Sequence, residues 1–355
     1  MDDFGFYIHI PFCVHRCGYC AFATWDDRDH LRERYLQAVR REIATAVEAG
    51  APPAATIFVG GGTPSRVDAH DLAATIASIP VVPGAEITVE CNPDDVSEEL
   101  LQPLVESGVN RISLGVQSMS THVLSVLDRR HNPANVERAV EAIRAVGIAS
   151  FNLDLIYGAF GESDDDWRHT LESVLRLDPP HISAYGLTVE PGTPLADRPE
   201  HHPDDDVQAD RYDIVDSTLT GAGLENYEIS NWAIKGHECR HNLVYWHQGD
   251  YFGVGCAAHS HRAGHRWWNL RTPERYIEAV EQGLTTRAAG EELDAATREF
   301  ERLELALRLR EGVPLDALDG ASLPGLVERV GDRWVLTRRG RLMANEVATR
   351  LRVGV

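Results

Sequence analysis

The sequence predicts an α/β protein: a parallel sheet curled into a partial (β/α) barrel, followed by a small helical, winged-helix-like domain. Three observations predict it. Over the first two-thirds of the 355 residues, apolar strand-like runs alternate with amphipathic helix-like ones, the order that builds a parallel sheet with helices outside it. The residues that carry chemistry follow strand-like runs, where barrel enzymes keep their sites. From about Thr272 the alternation gives way to helical periodicity, a strand and a last helix. The chain is therefore read as residues 1–271 and residues 272–355.

In order, the strand-like runs are Gly5–Ile10, Thr56–Gly60, Glu86–Glu90, Arg111–Gly115, Phe151–Tyr157, His181–Leu187 and Asn226–Asn231. The helix-like runs between them are Leu31–Ala49, Asp68–Ser78, Ser97–Ser107, Pro133–Val146, Asp164–Leu177 and Asp205–Ala222. Several of these helices open on Asp or Ser, which cap free N–H groups and suit the helix dipole. In the last part, helices are expected over Arg275–Glu281, Ala295–Arg310, Leu323–Val330 and Arg338–Leu351, with a strand at Asp332–Leu336 after a Gly331-Asp332 turn.

Composition narrows the function. With 43% hydrophobic and 25% charged residues, the chain is of ordinary globular type. No apolar run approaches the ~20 residues of a membrane span, and Met1-Asp-Asp-Phe4 lacks the basic flank of a signal peptide. A net charge of −21 argues against general nucleic-acid binding, which depends on neutralising phosphates. The cytoplasm is the expected compartment.

The motif richest in chemistry is Cys13-Val-His-Arg-Cys17-Gly-Tyr-Cys20, directly after the first strand. Six cysteines in 355 residues with no secretory signal do not make a disulfide framework. Closely spaced thiolates hold iron–sulfur clusters. Three of them leave one iron of a cubane open to a non-protein ligand. A zinc site with His15 as fourth ligand is the alternative. Gly60-Gly-Gly-Thr-Pro64 follows the second strand and permits close backbone approach. It is no phosphate loop, because no Gly-Lys-Ser/Thr follows. Glu90 ends the third strand, Gln117 follows the fourth, and Arg129 could clamp a carboxylate as a planar fork. Asp154 sits within the fifth strand, an odd place for an unpaired charge. Further on, His237-Glu-Cys239-Arg-His241-Asn242-Leu-Val-Tyr245-Trp246 gathers histidines, a cysteine and aromatic rings. Imidazole and thiolate both ligate haem iron. A hydrogen-bonded aromatic core patch is the competing reading.

The cysteine spacing resembles the defining motif of radical S-adenosylmethionine (SAM) proteins. Tyr7-Ile-His-Ile-Pro-Phe-Cys13, Gly60-Gly-Gly-Thr-Pro64, Gly115-Val-Gln117, Asp154-Leu-Ile-Tyr-Gly158 and His241-Asn-Leu-Val-Tyr-Trp246 together resemble its branch related to oxygen-independent coproporphyrinogen III oxidase. The resemblance covers nearly the whole chain. It implies a [4Fe–4S] cluster on Cys13, Cys17 and Cys20, with Tyr7, Tyr19, Gly62, Thr63, Glu90, Gln117, Arg129 and Asp154 lining a SAM site. Within that branch, the chain is most similar to the HemW-type haem chaperones. Phe22 stands where the oxidases usually carry a further cysteine, and only twelve residues precede Cys13. The chaperone resemblance implies haem bound by His241, Asn242, Tyr245 and Trp246, with His241 on the iron and Cys239 as a weaker candidate. It further implies delivery of haem to respiratory haem proteins, peripheral contact with membrane-bound acceptors, a homodimer and no oxidase activity. Oxidative decarboxylation of coproporphyrinogen III is the alternative function.

Overall fold

The computed structural model describes residues 3–352. Strands β1 (Gly5–Ile10), β2 (Ala54–Gly61), β3 (Val81–Cys91), β4 (Arg111–Gln117), β5 (Ser150–Tyr157) and β6 (His181–Gly186) lie side by side in chain order. They pair in parallel throughout. Helices α1 (Arg32–Glu48), α2 (Ala69–Ala77), α3 (Glu98–Glu106), α4 (Thr121–Val126), α5 (Pro133–Ala145), α6 (Asp164–Leu175) and α7 (Asp205–Gly221) make the crossovers. The expected six parallel units are thus present, with ends moved by a few residues.

Alternation along the strands separates the two faces of this sheet, since successive side chains point to opposite sides. Phe6, Ile8 and Ile10 of β1, Ile57 and Val59 of β2, Ile112, Leu114 and Val116 of β4, and Leu153 and Leu155 of β5 are buried in the main hydrophobic core. The intervening positions are largely polar: Tyr7 and His9, Glu86 and Glu90, Arg111 and Ser113, Asn152 and Asp154, His181 and Ser183. Strand register aligns these polar residues across the sheet, with Glu90 beside Ser113, Ser113 beside Asn152, and Asn152 beside His181. Apolar burial on one face therefore leaves a polar lumen on the other.

Two edges extend the sheet. The run expected as a seventh strand over Asn226–Asn231 is instead an antiparallel pair, β7 (Glu225–Glu228) and β8 (Asn231–Ala233), with β8 antiparallel to β6. The stretch Glu228–Asn231 is the tight turn that reverses the chain. At the other edge β9 (Tyr251–Val254) pairs in parallel with β1. The antiparallel strands β10 (His259–Arg262), β11 (His265–Asn269) and β12 (Arg287–Glu292) follow it. A short helix, α8 (Arg240–Trp246), packs against β2.

The pattern change at Thr272 does not coincide with the change of core. In helix α9 (Pro273–Glu281), Tyr276 and Ile277 belong to the main core, and β12 closes the large sheet. A second core gathers from Leu303 onward, with Leu307, Val313, Leu318 and Val347. Its elements are α10 (Ala295–Ala306), the strands β13 (Val313–Pro314), β14 (Val327–Val330) and β15 (Arg333–Leu336), and helices α11 (Arg338–Leu342) and α12 (Ala344–Ala348). The helix expected over Leu323–Val330 is absent. Val327–Val330 forms a hairpin with β15 across Gly331, whose φ of 62° makes the turn. The last helix breaks at Met343. Asp216 of α7, which is 3% exposed, accepts hydrogen bonds from Trp232, Arg338 and Arg341 and ties this small unit to the barrel.

Candidate functional site

The cysteine loop leaves β1 at the C-terminal mouth of the barrel. The glycine run after β2 holds it there. Gly62 N donates to Ile10 O at 2.7 Å and Thr63 N to Phe12 O at 2.8 Å, so the two segments continue the pairing of β1 with β2. A Cβ on Gly62 would lie 2.7 Å from Phe12 O and 3.0 Å from Cys13 Sγ. One on Gly60 would meet Glu90 Oε2 at 2.7 Å. These glycines thus serve close approach of chain to chain.

Cys13, Cys17 and Cys20 all line one cavity of about 460 Å³ at this mouth, together with Tyr19, Gly62, Thr63, Glu90, Gln117, Arg129 and Asp154. Seven of the eight residues expected to contact SAM are therefore brought together. Tyr7 is the exception. It lines a second, deeper cavity of about 220 Å³, one strand repeat below the mouth, where its hydroxyl is 3.0 Å from His9 Nδ1. The two cavities share Phe22, Gly61, Glu90, Ser113, Asp154 and Tyr185. Phe22, in place of a fourth cysteine, is 67% exposed.

The polar groups of the mouth differ in how far the protein satisfies them. Arg129 donates to Asn92 Oδ1 and Gly115 O, each at 2.9 Å, and sits 3.7 Å from Cys17 Sγ. Among the described residues its Nε is buried without a partner. Gln117 sits at a bulge in the β4–β5 pairing with φ of 64°, a left-handed conformation uncommon outside glycine. Asp154 accepts from Ser113 Oγ at 2.9 Å and Asn152 Nδ2 at 2.7 Å. Asn152 Oδ1 in turn meets His181, which reaches Tyr227. Burial raises Asp154 against these hydrogen bonds. Burial, reinforced by Asp154, pushes Glu90 up to about 8, against a hydrogen bond from Gly61 N. Burial likewise pushes the Cys13 thiol up to about 11.

These residues fit a cluster with an open iron. No group of His, Cys, Asp and Glu among the described residues converges as the ligands of one metal ion would. A cubane presents three separate irons, so its thiolates need to share a cavity rather than a point. Arg129 and the nearby carboxylates Glu90 and Asp154 put a charged donor and acceptors on the lining of the same cavity.

The expected haem residues tell a different story. His241 lies on α8 and is fully buried. Its Nδ1 is 2.8 Å from Thr56 Oγ1 and its Nε2 is 2.7 Å from the Tyr245 hydroxyl. Its ring stacks on Phe58 at 5.4 Å. Burial lowers it to about 3, so it is neutral. Glu86, unforeseen from sequence, accepts from Arg240 N and His241 N and caps this helix. Asn242 lines the deeper cavity, and Tyr245 packs edge-on against His241 and Tyr251. Trp246 ends α8 half-buried. Cys239 is buried, its thiol pushed up to about 12 by burial. Both ring nitrogens of His241 are hydrogen-bonded within the chain, and the cavity beside it is lined by Phe58, Cys239 and Asn242. The alternation of Asn152 with Asp154 and the position of Ser113 were the available signals for the hydrogen-bond chain behind Asp154; Glu86 carried none.

A parallel partial barrel with three thiols at its mouth, after the first strand, is the architecture of radical SAM proteins. Residues 7–174 match the Radical SAM superfamily. The haem chaperone HemW of Mycobacterium tuberculosis is 41% identical to this chain, covering 99% of it and 95% of its own length. That of Escherichia coli K12 is 35% identical over 98% of the chain and 97% of its own length. Among solved structures, E. coli coproporphyrinogen III oxidase, HemN, described as a radical SAM enzyme, superposes with a TM-score of 0.86. It shares 21% identity and covers 98% of this chain and 89% of its own, a likeness of fold alone. The chain belongs to the radical SAM superfamily and, within it, to the HemW family.

Proposed function

We propose that this protein is a haem carrier built on a radical SAM core. It holds a [4Fe–4S] cluster on Cys13, Cys17 and Cys20, binds SAM in the cavity above it, and passes haem to haem-accepting proteins such as those of respiration. The observation that carries the reading is the three-thiol loop opening on one cavity, in a chain related over its full length to proteins named haem chaperones. When bound, the cluster would supply the electron for reductive cleavage of SAM.

The chain's own residues set the conditions. Cys13 must lose its proton to bind iron, and burial opposes that, so loading releases protons. The Arg129 guanidinium donates toward Cys17 Sγ at 3.7 Å. Arg129 lines the cavity and can pair its guanidinium with a carboxylate. Gly62 and Thr63 bring backbone to the amino end of SAM, while Glu90, Asp154, Gln117 and Tyr19 line the remainder of its site. Glu90, held protonated near neutral pH, donates as well as accepts.

Two measurements test this. Reconstituted, reduced protein incubated anaerobically with SAM and coproporphyrinogen III should form no protoporphyrinogen; its appearance would make the protein an oxidase. The same preparation titrated with haem should saturate with a defined spectrum. Absence of saturable haem binding would dismiss the carrier reading.

A further inference from the structure

Helix α8 has seven residues, too few to stand as a helix by its own hydrogen bonds. What holds its flanks therefore decides where it sits. Both flanks are held by one dipeptide of the small C-terminal unit. Ahead of the helix, Glu238 Oε1 accepts from Arg310 Nη2 at 2.9 Å, and the Glu238 side chain is only 13% exposed. The Arg310 backbone braces the same end. Its N–H donates to Tyr227 O at 3.0 Å, and the Tyr227 hydroxyl accepts from Cys239 N at 3.2 Å. Directly after the helix, His247 Nε2 lies 3.5 Å from Glu311 Oε2. That contact holds the Glu311 carboxyl below its ordinary value.

The dipeptide itself is seated in the small unit. Leu307 and Val313, on either side of it, are buried in the second core. Arg333 of β15 donates to Glu311 O at 2.7 Å and to Gly312 O at 2.6 Å. Ile229, from the turn between β7 and β8, packs against the same core, next to the bridge between Glu228 and Leu309.

We propose that Arg310 and Glu311 are positioning residues that hold α8 closed from both ends, and that ligand exchange at this helix waits on their release. The inference rests on the haem-carrying reading and gives the small unit a task within it. Between the two held flanks, His241 is bonded to Thr56 and the Arg240 and His241 N–H groups to Glu86. A ligand that engages α8 has to displace such contacts, and it can do so only when the flanks yield. Half-exposed ion pairs are individually weak, which suits a catch that must open.

The test is hydrogen exchange of the α8 amides in the full, cluster-reconstituted chain, beside anaerobic stopped-flow haem uptake, Soret position and melting temperature. Arg310→Glu faces Glu225 and Glu238 with like charge. It should speed α8 exchange and haem uptake by roughly fivefold, the most that one exposed pair gives, with Soret position and melting temperature unchanged. Adding Glu238→Arg re-forms the pair with its charges reversed and should restore the slow rates, a rescue that a merely structural role does not give. Wild-type rates in Arg310→Glu would overturn the clamp. So would a double variant that stays fast, or faster exchange spread through the small unit with a lowered melting temperature. Haem uptake absent from the wild type would instead overturn the carrier reading, and α8 exchange would still decide the clamp.

Discussion

The mouth and the floor of the barrel use the same residue types to opposite ends. Both have a buried cysteine and a carboxylate that accepts from backbone N–H. At the floor the groups around α8 bond within the chain: Glu86 caps α8, and His241 bridges Thr56 and Tyr245, while Arg111 beside them keeps two buried nitrogens without a partner among the described residues. At the mouth valences are left over: three thiols share a cavity and Arg129 keeps a buried unpartnered Nε. A residue type therefore does not identify a site. What identifies it is whether the protein has already used the atoms that a ligand would need.

The contrast predicts that mouth variants change ligand loading with little effect on stability, and floor variants the reverse. The largest effect is expected at Cys17. Cys17→Ala should remove the broad iron–sulfur absorbance after anaerobic reconstitution and the bound iron and sulfide with it; unchanged content would break the comparison at its strongest point. Next comes His241→Ala. It leaves the Thr56 hydroxyl buried without its partner and opens a cavity, so about 2–4 kcal/mol of stability should be lost in denaturant unfolding. A wild-type midpoint would show that the floor is not structural. Glu86→Ala removes the cap of α8 and should cost about 1–3 kcal/mol, with iron content unchanged.

Glu90 gives a smaller, pH-dependent effect. Its folded value of about 8 lies above the ordinary 4.5. Between those values the folded chain keeps a proton that the unfolded chain has released, so stability falls as pH rises through the window. Glu90→Gln should flatten that slope, and an identical pH profile would mean that Glu90 ionises freely. The least effect belongs to Phe22→Ser. An exposed side chain at the rim should change stability by no more than about 0.5 kcal/mol.

The parallel core was legible because its outward residues form unbroken apolar alternation, as in Phe6, Ile8 and Ile10. The site was legible where lumen residues end strands at the mouth, as Glu90 does. That Tyr7 lines the deeper cavity was not legible, because strand alternation gives a face and not a depth. The edge strands β9 to β11 escaped because Gly253, His259, His261 and Trp268 break any simple period. The partners of His241 escaped for a different reason: Thr56 and Glu86 are more than 150 residues away along the chain. No local pattern announces a hydrogen bond of that span. The β14 hairpin was hidden by Leu323 and Leu326, whose spacing suits a helix.

Gly62 carries no side chain, yet a methyl group there would press on Phe12, Ile10 and the Cys13 sulfur together. A sequence of this fold could keep all its cysteines and still be unable to gather them, if any other residue stood at that place. When related chains are sorted into those that hold a cluster and those that have lost it, this silent position is as informative as the thiols.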